Sequence, residues 1–504
     1  MSTHSTSNTP LAMAMTLAVC TLLGACAVGP DYVRPDTAAP LAYKENSGWT
    51  VAQPADTADR GKWWEVFGDA RLNALVEQVE ISNQTVKAAA AQYEQARALA
   101  ESARAAYFPT IGLNAAATRS QAGSGLTTRT TTGASGASSS GSSSISNNVS
   151  LSLGASWEAD IWGKVRRATE AQTSSAQASA AELAAARLSA QGQLAQSYFT
   201  LRQVDAQIQL YADTVAAYQK SLQLTKNRYV GGVSAQADVV AADTQLKTAQ
   251  AQAINLGVRR AQLEHAIALL VGQPASTFSI APAPLTTAPP PPVPEAGLPS
   301  QLLERRPDVA AAERQVAAAN AQIGVAKAAY FPALSLTGSA GYQGSTLANL
   351  LSLPNRFWSI GPQLAATLFD GGARDAQSRQ ARAVYDQNVA LYRQTVLTGL
   401  QEVEDNLAAL RILEQQAAVQ DAALQAARES VRLTINQYKA GVVSYLNVVT
   451  AQATAFGTER DSVSLLGSRY VASVQLIQAL GGGWHATSLP GAAAVNAAND
   501  PKRP

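Results

Sequence analysis

Tyr229-Val230-Gly231-Gly232-Val233-Ser234 and Tyr438-Lys439-Ala440-Gly441-Val442-Val443-Ser444 carry one pattern at an offset of 209 residues, 229 to 438. Each ends a proline-free run and opens another. Upstream, Ala105-Ala106-Tyr107-Phe108-Pro109 is answered by Ala328-Ala329-Tyr330-Phe331-Pro332, at an offset of 223 from 109 to 332. Downstream, Leu270-Val271-Gly272 is answered by Ala479-Leu480-Gly481, again at 209 from 272 to 481. The chain is therefore two copies of one unit. The first copy is longer by 14 residues, and the Ser/Gly/Thr-rich run 120–147 lies where the extra length must sit.

Each copy reads as helix, two strands, long helix, sharp turn, helix. Apolar and small polar residues alternate through Val149-Ser150-Leu151-Ser152-Leu153-Gly154-Ala155-Ser156-Trp157 and Leu334-Ser335-Leu336-Thr337-Gly338-Ser339-Ala340, the period of a strand with two unlike faces. Ile111–Ala115 alternates more weakly, and a fourth strand is expected at about Phe357–Phe369. Lys164 to Arg228 holds no proline over 65 residues, roughly 97 Å of helix at ~1.5 Å per residue. Val204, Ile208, Tyr211, Val215, Tyr218, Leu222, Thr225 and Tyr229 step 4-3-4-3-4-3-4, a heptad seam that demands lengthwise helix packing.

These signals divide the chain. Residues 1–25 read as a lipoprotein signal peptide and 26–71 as an N-terminal lipid-anchored segment. The first repeat is 72–280, with a β-hairpin at about 110–160, a long helix 164–228, a tip turn 229–238 and a helix to 271. A Pro-rich linker, 281–299, follows. The second repeat is 300–483, with a hairpin at about 332–370, a long helix 374–437, a tip turn 438–447 and a helix to 480. Residues 484–504 read as a flexible tail.

The 504 residues carry 38 Lys+Arg against 36 Asp+Glu, a net charge of +2 that gives nucleic acid no basic surface. Hydrophobic residues make up 47% of the chain, much of it alanine, and mean hydropathy is −0.04, too polar for a polytopic helical membrane protein. The two cysteines, Cys20 and Cys26, leave everything downstream without thiols, and three scattered histidines offer no metal cluster. No nucleophile elbow or phosphate loop is present, so an enzyme is not expected. The apolar segment 11–25 ends in Leu23-Gly24-Ala25-Cys26, which resembles the bacterial lipobox. That resemblance implies cleavage before Cys26, an S-diacylglycerol and an N-acyl chain on it, and no other cofactor. The leader departs from the usual pattern in having no Lys or Arg in Met1–Pro10, and Ala27 after the cysteine fits outer-membrane sorting.

Leu302-Leu303-Glu304-Arg305-Arg306-Pro307-Asp308-Val309, continuing through Asn320 and Gly324 to Tyr330-Phe331-Pro332, resembles the signature of outer-membrane efflux lipoproteins. These are TolC-like, of the NodT subgroup. Trp63-Trp64 with Phe67-Gly68-Asp69 fits the same family. The resemblance implies an α+β membrane protein: a homotrimer whose chains give four strands each to a 12-stranded outer-membrane β-barrel, continued by a long periplasmic α-helical barrel. Four strands alone cannot close a barrel with a lumen. It further implies a channel of a tripartite efflux system in a Gram-negative outer membrane, with a periplasmic adaptor and an inner-membrane RND-type pump as partners. An exit duct for type I protein secretion shares the architecture, and a lipid-anchored coiled-coil scaffold without a pore is the reading from another class.

The candidate residues follow. Cys26 is the anchor in outer-membrane lipid. Pro109 and Pro332 turn helix into strand, and Tyr107, Phe108, Tyr330 and Phe331 fall at that junction, near a membrane boundary or in core packing. Gly232 and Gly441 allow the reversal at each turn. By resemblance these turns are the periplasmic tips and Asp238 helps form a constriction, with Asp243 a weaker candidate. Asn447 stands where the second copy would carry the matching carboxylate. The expectation is a tip closed by Asp238 and by packing around Leu446, with Tyr229 and Tyr438 as polar partners. The transported substrate is not encoded in these features.

Overall fold

The computed structural model describes residues 27–37, 40, 42–46, 62–121, 145–285, 289–290 and 302–496. Cys26, the leader, most of the Ser/Gly/Thr-rich run, much of the Pro-rich linker and the last eight residues lie outside them. The helices are α1 (Ala70–Ser82), α2 (Gln84–Ala105), α3 (Lys164–Val230), α4 (Gln236–Leu270), α5 (Leu302–Arg305), α6 (Pro307–Ala328), α7 (Ala373–Lys439), α8 (Tyr445–Ala479) and α9 (Ala492–Asn496). The strands are β1 (Thr110–Gln121), β2 (Ile145–Ala159), β3 (Ala333–Gly344) and β4 (Arg356–Ala365). The repeat holds residue for residue: α3 and α7 are each 67 residues and α4 and α8 each 35.

The chain divides into two compact units, one with all four strands and one holding most of the helical residues. In the strand unit β1-β2-β3-β4 form one antiparallel sheet in sequence order. Its register sorts the side chains. Leu113, Leu153, Ala340 and Trp358 lie in one row across the sheet, and Ile111, Ala155, Gly338 and Ile360 in another. The opposite face carries the rows Thr110–Ser156–Thr337–Gly361 and Gly112–Gly154–Ser339–Ser359. Hydroxyls meet across it, Ser339 Oγ to Ser359 Oγ at 2.8 Å and Ser120 Oγ to Ser146 Oγ at 2.9 Å.

β4 ends at Ala365, short of the expected Phe369. Its partner β3 begins at Ala333, directly after Pro332, so the ladder has nothing to pair beyond Ala333–Ala365. Asp370 then caps α7, its carboxylate accepting from the Gly372 and Arg374 amides at 3.0 and 3.2 Å. Asp160 does the same for α3 through the amides of Val165 and Arg166.

The helical unit is centred on α3, α8 and the N-terminal aromatics. Trp63, Trp64, Leu72, Val76, Tyr198, Phe199, Leu201, Val474 and Leu476 are buried together. Phe67, Phe199 and Tyr470 stack with centroids 4.7–6.3 Å apart. Asp69 caps α1 and also accepts from the Tyr198 hydroxyl at 2.7 Å. Burial and that carboxylate push the Tyr198 hydroxyl up to about 12, so it remains a donor. Residues 484–496 correct the expectation of a flexible tail. Trp484 and Leu489 pack on Ala181, Ala310 and Ala311, Pro490 accepts from Gln177 at 3.0 Å, and Val495 is fully buried.

Candidate channel wall, splices and tips

The sheet is built for two solvents. Its apolar face is exposed, with Ile111 at 73% and Trp358 at 73%, an arrangement costly in water and favourable in lipid. Its other face is mostly Ser, Thr, Asn, Gln and Gly, with Phe357 among them, and the charged strand residue on it among the described residues is Glu158, held by Lys164 at 3.1 Å. Strands of 10 to 15 residues at about 3.3 Å each, tilted as barrel strands are, cross an apolar band of about 25 Å. β1 and β4 each have one side unpaired within the chain. No helix among the described residues is long and apolar enough to cross a membrane.

The helix-to-strand junctions form as the prolines require. The end of α2 tightens into short turns, Tyr107 N to Arg104 O at 3.1 Å and Phe108 N to Ala105 O at 3.0 Å, and Pro109 then stops the helix. Tyr330 and Phe331 repeat the turns before Pro332. The four aromatics are surface-exposed, and indoles tie the junctions down. Trp157 Nε1 donates to the Tyr107 carbonyl at 3.0 Å, Trp162 Nε1 to the Pro332 carbonyl at 2.7 Å, and the Trp162 ring stacks on Phe331 at 4.8 Å.

Beside this junction the chain that follows Cys26 is held by a clamp the sequence did not announce. Val28 N donates to the Trp162 carbonyl at 3.1 Å, and Ala27 lies against Gly163. Buried Arg167 donates to Asp31 at 2.7 Å and to Glu170 at 2.8 Å, while Asn320 Nδ2 reaches the Pro30 carbonyl at 2.9 Å. Burial opposes the Arg167 charge, but Asp31 and Glu170 outweigh it and raise its pKa. Gly29, at φ +109°, crosses Gly324 so closely that a Cβ on Gly29 would sit 2.5 Å from the Gly324 Cα. Gly29→Ala is therefore expected to unseat residues 27–33. Amide exchange there should speed up by on the order of 10-fold or more, with exchange in β2 and β3 unchanged.

In the helical unit, the C-terminus of α4 meets the N-terminus of α2, and α8 meets α6 the same way. Asn83 splices the first pair, donating to the Leu270 carbonyl at 2.7 Å while its Oδ1 accepts from Val86 N at 3.0 Å. Its counterpart at offset 223 is Arg306, which donates to the Ala479 carbonyl at 3.2 Å, to Glu402 at 2.6 Å and bidentately to Asp308 at 3.0 and 2.6 Å. Burial works against that guanidinium, but Asp308 and then Glu402 hold its pKa above the ordinary arginine value. The Arg-Pro-Asp signature is thus a charged helix splice. A second buried network locks the start of the Pro-rich linker: Asp205 accepts from Arg202 at 3.2 Å, Arg260 at 2.8 Å and Ala283 N at 3.0 Å. Arg202 and Arg260 also donate to the Ala281 and Ile280 carbonyls.

The tips are two glycine-closed reversals. Gly232 (φ +71°) and Gly441 (φ +78°) take the left-handed conformation expected of them. Val233 N returns to Arg228 O at 2.8 Å, and Val442 N to Gln437 O at 2.9 Å. Tyr218, Leu222, Leu246, Tyr438, Tyr445 and Val448 form the core beneath them. The expected packing around Leu446 is corrected: Leu446 is 67% exposed, and Tyr445 is the buried residue. Tyr445, Val448, Gln452 and Ala455 lie on one buried helical face, a spacing that leaves Leu446 outside it. Asp238 is half-buried and accepts from Ser234 Oγ at 2.6 Å within its own turn. Tyr229, Asp243 and Asn447 are exposed, and Tyr438 is buried, with its hydroxyl unpartnered among the described residues.

A two-faced sheet open at both edges, joined to paired helical hairpins, defines a subunit of an outer-membrane channel. The chain belongs to the outer membrane efflux protein family, whose profile matches residues 75–273 and 298–482. It is 30% identical over 466 residues to the probable efflux pump outer membrane protein TtgC of Pseudomonas putida, covering 92% of this chain and 94% of that one. It is 32% identical over 467 residues to the solvent efflux pump outer membrane protein SrpC of Pseudomonas putida, covering 92% and 96%. Among solved structures it resembles the outer-membrane channel OprN, with a TM-score of 0.82, 29% identity and coverage of 91% and 100%. The chain is accordingly an outer-membrane efflux channel component.

Proposed function

We propose that three copies of the chain close a 12-stranded barrel and form the passive exit duct of a tripartite efflux system. A periplasmic adaptor and an RND-type inner-membrane pump deliver the cargo, and the duct performs no chemical step. The observation that carries this reading is the four-stranded sheet with an exposed apolar face and unpaired sides on β1 and β4. A backbone edge in lipid is costly unless another strand pairs with it. A pore-free scaffold would have no use for that apolar face. Cys26 carries the acyl chains, and the clamp on residues 27–31 holds them near the junction aromatics. The turns at Gly232 and Gly441 are the adaptor-facing tips, and Asp238 contributes to the constriction there. The test is the native mass of the protein extracted from outer membranes in mild detergent. A homotrimer is expected. A monomer released without detergent would overturn the closed barrel.

A further inference from the structure

Charge is sorted along the strands as well as across them. The segments 110–157 and 333–369 hold three arginines, Arg119, Arg129 and Arg356, and no Asp, Glu or Lys. Arg356 stands in the row Ala115–Leu151–Tyr342–Arg356, the next on the apolar face after Leu113–Leu153–Ala340–Trp358. Arg119, opposite Asn147, is on that face two rows further from the proline junctions. Both are exposed, and neither guanidinium has an ion pair or hydrogen bond among the described residues. The apolar face is not flat at this level. Ala340 is small among Leu151, Leu153, Tyr342 and Trp358, and leaves a groove of about 550 Å³ that reaches Arg356. A second depression of about 590 Å³ at the strand ends is lined by Asn147, Asn148, Gln343 and Asn355, and again by Arg356. The arginine therefore stands between an apolar groove and an amide-lined one.

We propose that Arg356 and the two depressions it joins bind the phosphorylated glycolipid of the outer leaflet, lipid A. An acyl chain lies in the apolar groove, a phosphate takes the Arg356 fork, and the sugar rests on the amides. This rests on the barrel and the orientation proposed above, which put the proline junctions on the periplasmic side and the arginine end of the strands in the outer leaflet. An arginine facing lipid is costly at mid-bilayer and nearly free at the interface, so its place at the strand ends suits a headgroup. Its planar fork matches phosphate oxygens. Glu158, the acidic strand residue, is on the opposite face at the junction end, so no strand carboxylate competes for the fork or repels the phosphate. A phospholipid phosphate would meet the same arginine, but a glycolipid also gives the amide side chains a sugar to bind.

Native mass spectrometry of the full-length protein in mild detergent, titrated with purified lipid A, tests this. Arg356→Ala is expected to weaken lipid A binding by about 10-fold or more, the worth of one charge-assisted hydrogen bond, and Arg356→Lys to weaken it less. Ala340→Trp fills the groove and leaves the charge in place, and is expected to weaken binding several-fold. Arg379→Ala, at an exposed arginine of α7, is expected to match the unmodified protein. Lipid A stripped of its phosphates should bind the unmodified protein no better than intact lipid A binds Arg356→Ala. Equal lipid A binding by Arg356→Ala and the unmodified trimer would overturn the site. So would phosphatidylglycerol binding as tightly as lipid A with the same dependence on Arg356, because the site would then read any lipid phosphate. An unmodified protein that gives no trimer in the same spectra would instead count against the barrel reading on which the site rests.

Discussion

Arg306→Ala is expected to destabilise the folded protein by about 3 kcal/mol. The guanidinium is almost fully buried and serves Asp308, Glu402 and the Ala479 carbonyl together. Removing one partner of a buried ion pair typically costs about 3–5 kcal/mol, because the remaining charges lose their counterion. The lower figure applies because Asp308 and Glu402 are 38% and 47% exposed and keep part of their hydration. Arg306→Lys keeps the charge and loses the planar fork, so it should recover only part of the loss. Thermal unfolding in detergent, followed by the gel mobility of unheated samples, measures it. A shift no larger than that of an exposed control such as Arg379→Ala would show that the splice contributes little. The same substitution should slow amide exchange nowhere and speed it first at the end of α8 and the start of α6.

The second large effect is expected at Asp205. Its side chain is 2% exposed and is the carboxylate shared by Arg202 and Arg260. Asp205→Ala leaves the buried Arg202 and the partly buried Arg260 short of a counterion and the Ala283 amide without its acceptor, for a loss of about 3–5 kcal/mol. Glu264, which accepts from Arg260 at 3.2 Å, softens the loss on that side. Asp205→Asn keeps the shape and one acceptor oxygen and should fall between. Limited proteolysis gives a local readout: cleavage near 281–285 should appear in Asp205→Ala well below its unfolding temperature. A linker that stays resistant until global unfolding would show that this network does not hold it.

The sequence carried what periodicity and repetition can carry. A proline-free run over 164–228 gave α3 to within two residues of its end, Val230, and the 209-residue offset transferred the same bounds to α7. Strand alternation gave the two-faced sheet, and the glycines at 232 and 441 marked both reversals. What stayed hidden depends on partners far apart in the chain. Arg167 meets Asp31 at a separation of 136 residues, and Arg306 meets Glu402 at 96. Neither pair leaves a local pattern, since any surface arginine would look the same. The error at the tip was of another kind. Tyr445 begins the buried face that continues with Val448, Gln452 and Ala455, so the helical spacing that had located the long seam also held this answer. The tail misled through its composition, because Ala-rich stretches bury small side chains without a conspicuous pattern.

The equality of the hairpins has an evolutionary consequence. Both repeats spend 67 residues on the first arm and 35 on the second, and both tips must arrive at a common level to share the core of Tyr218, Leu222, Tyr438 and Tyr445. A chain that lengthened one arm alone would pull its turn out of that meeting and shift every side chain on the seam. Growth must therefore come in whole heptads, inserted into four helices at once, or not at all. Insertions and deletions between relatives should accordingly gather between β1 and β2, between β3 and β4, and in the segments between repeats; residues 122–144 alone account for most of the difference in length between the two halves. The molecule's reach is a quantised property, set jointly by its two halves and inherited as a unit.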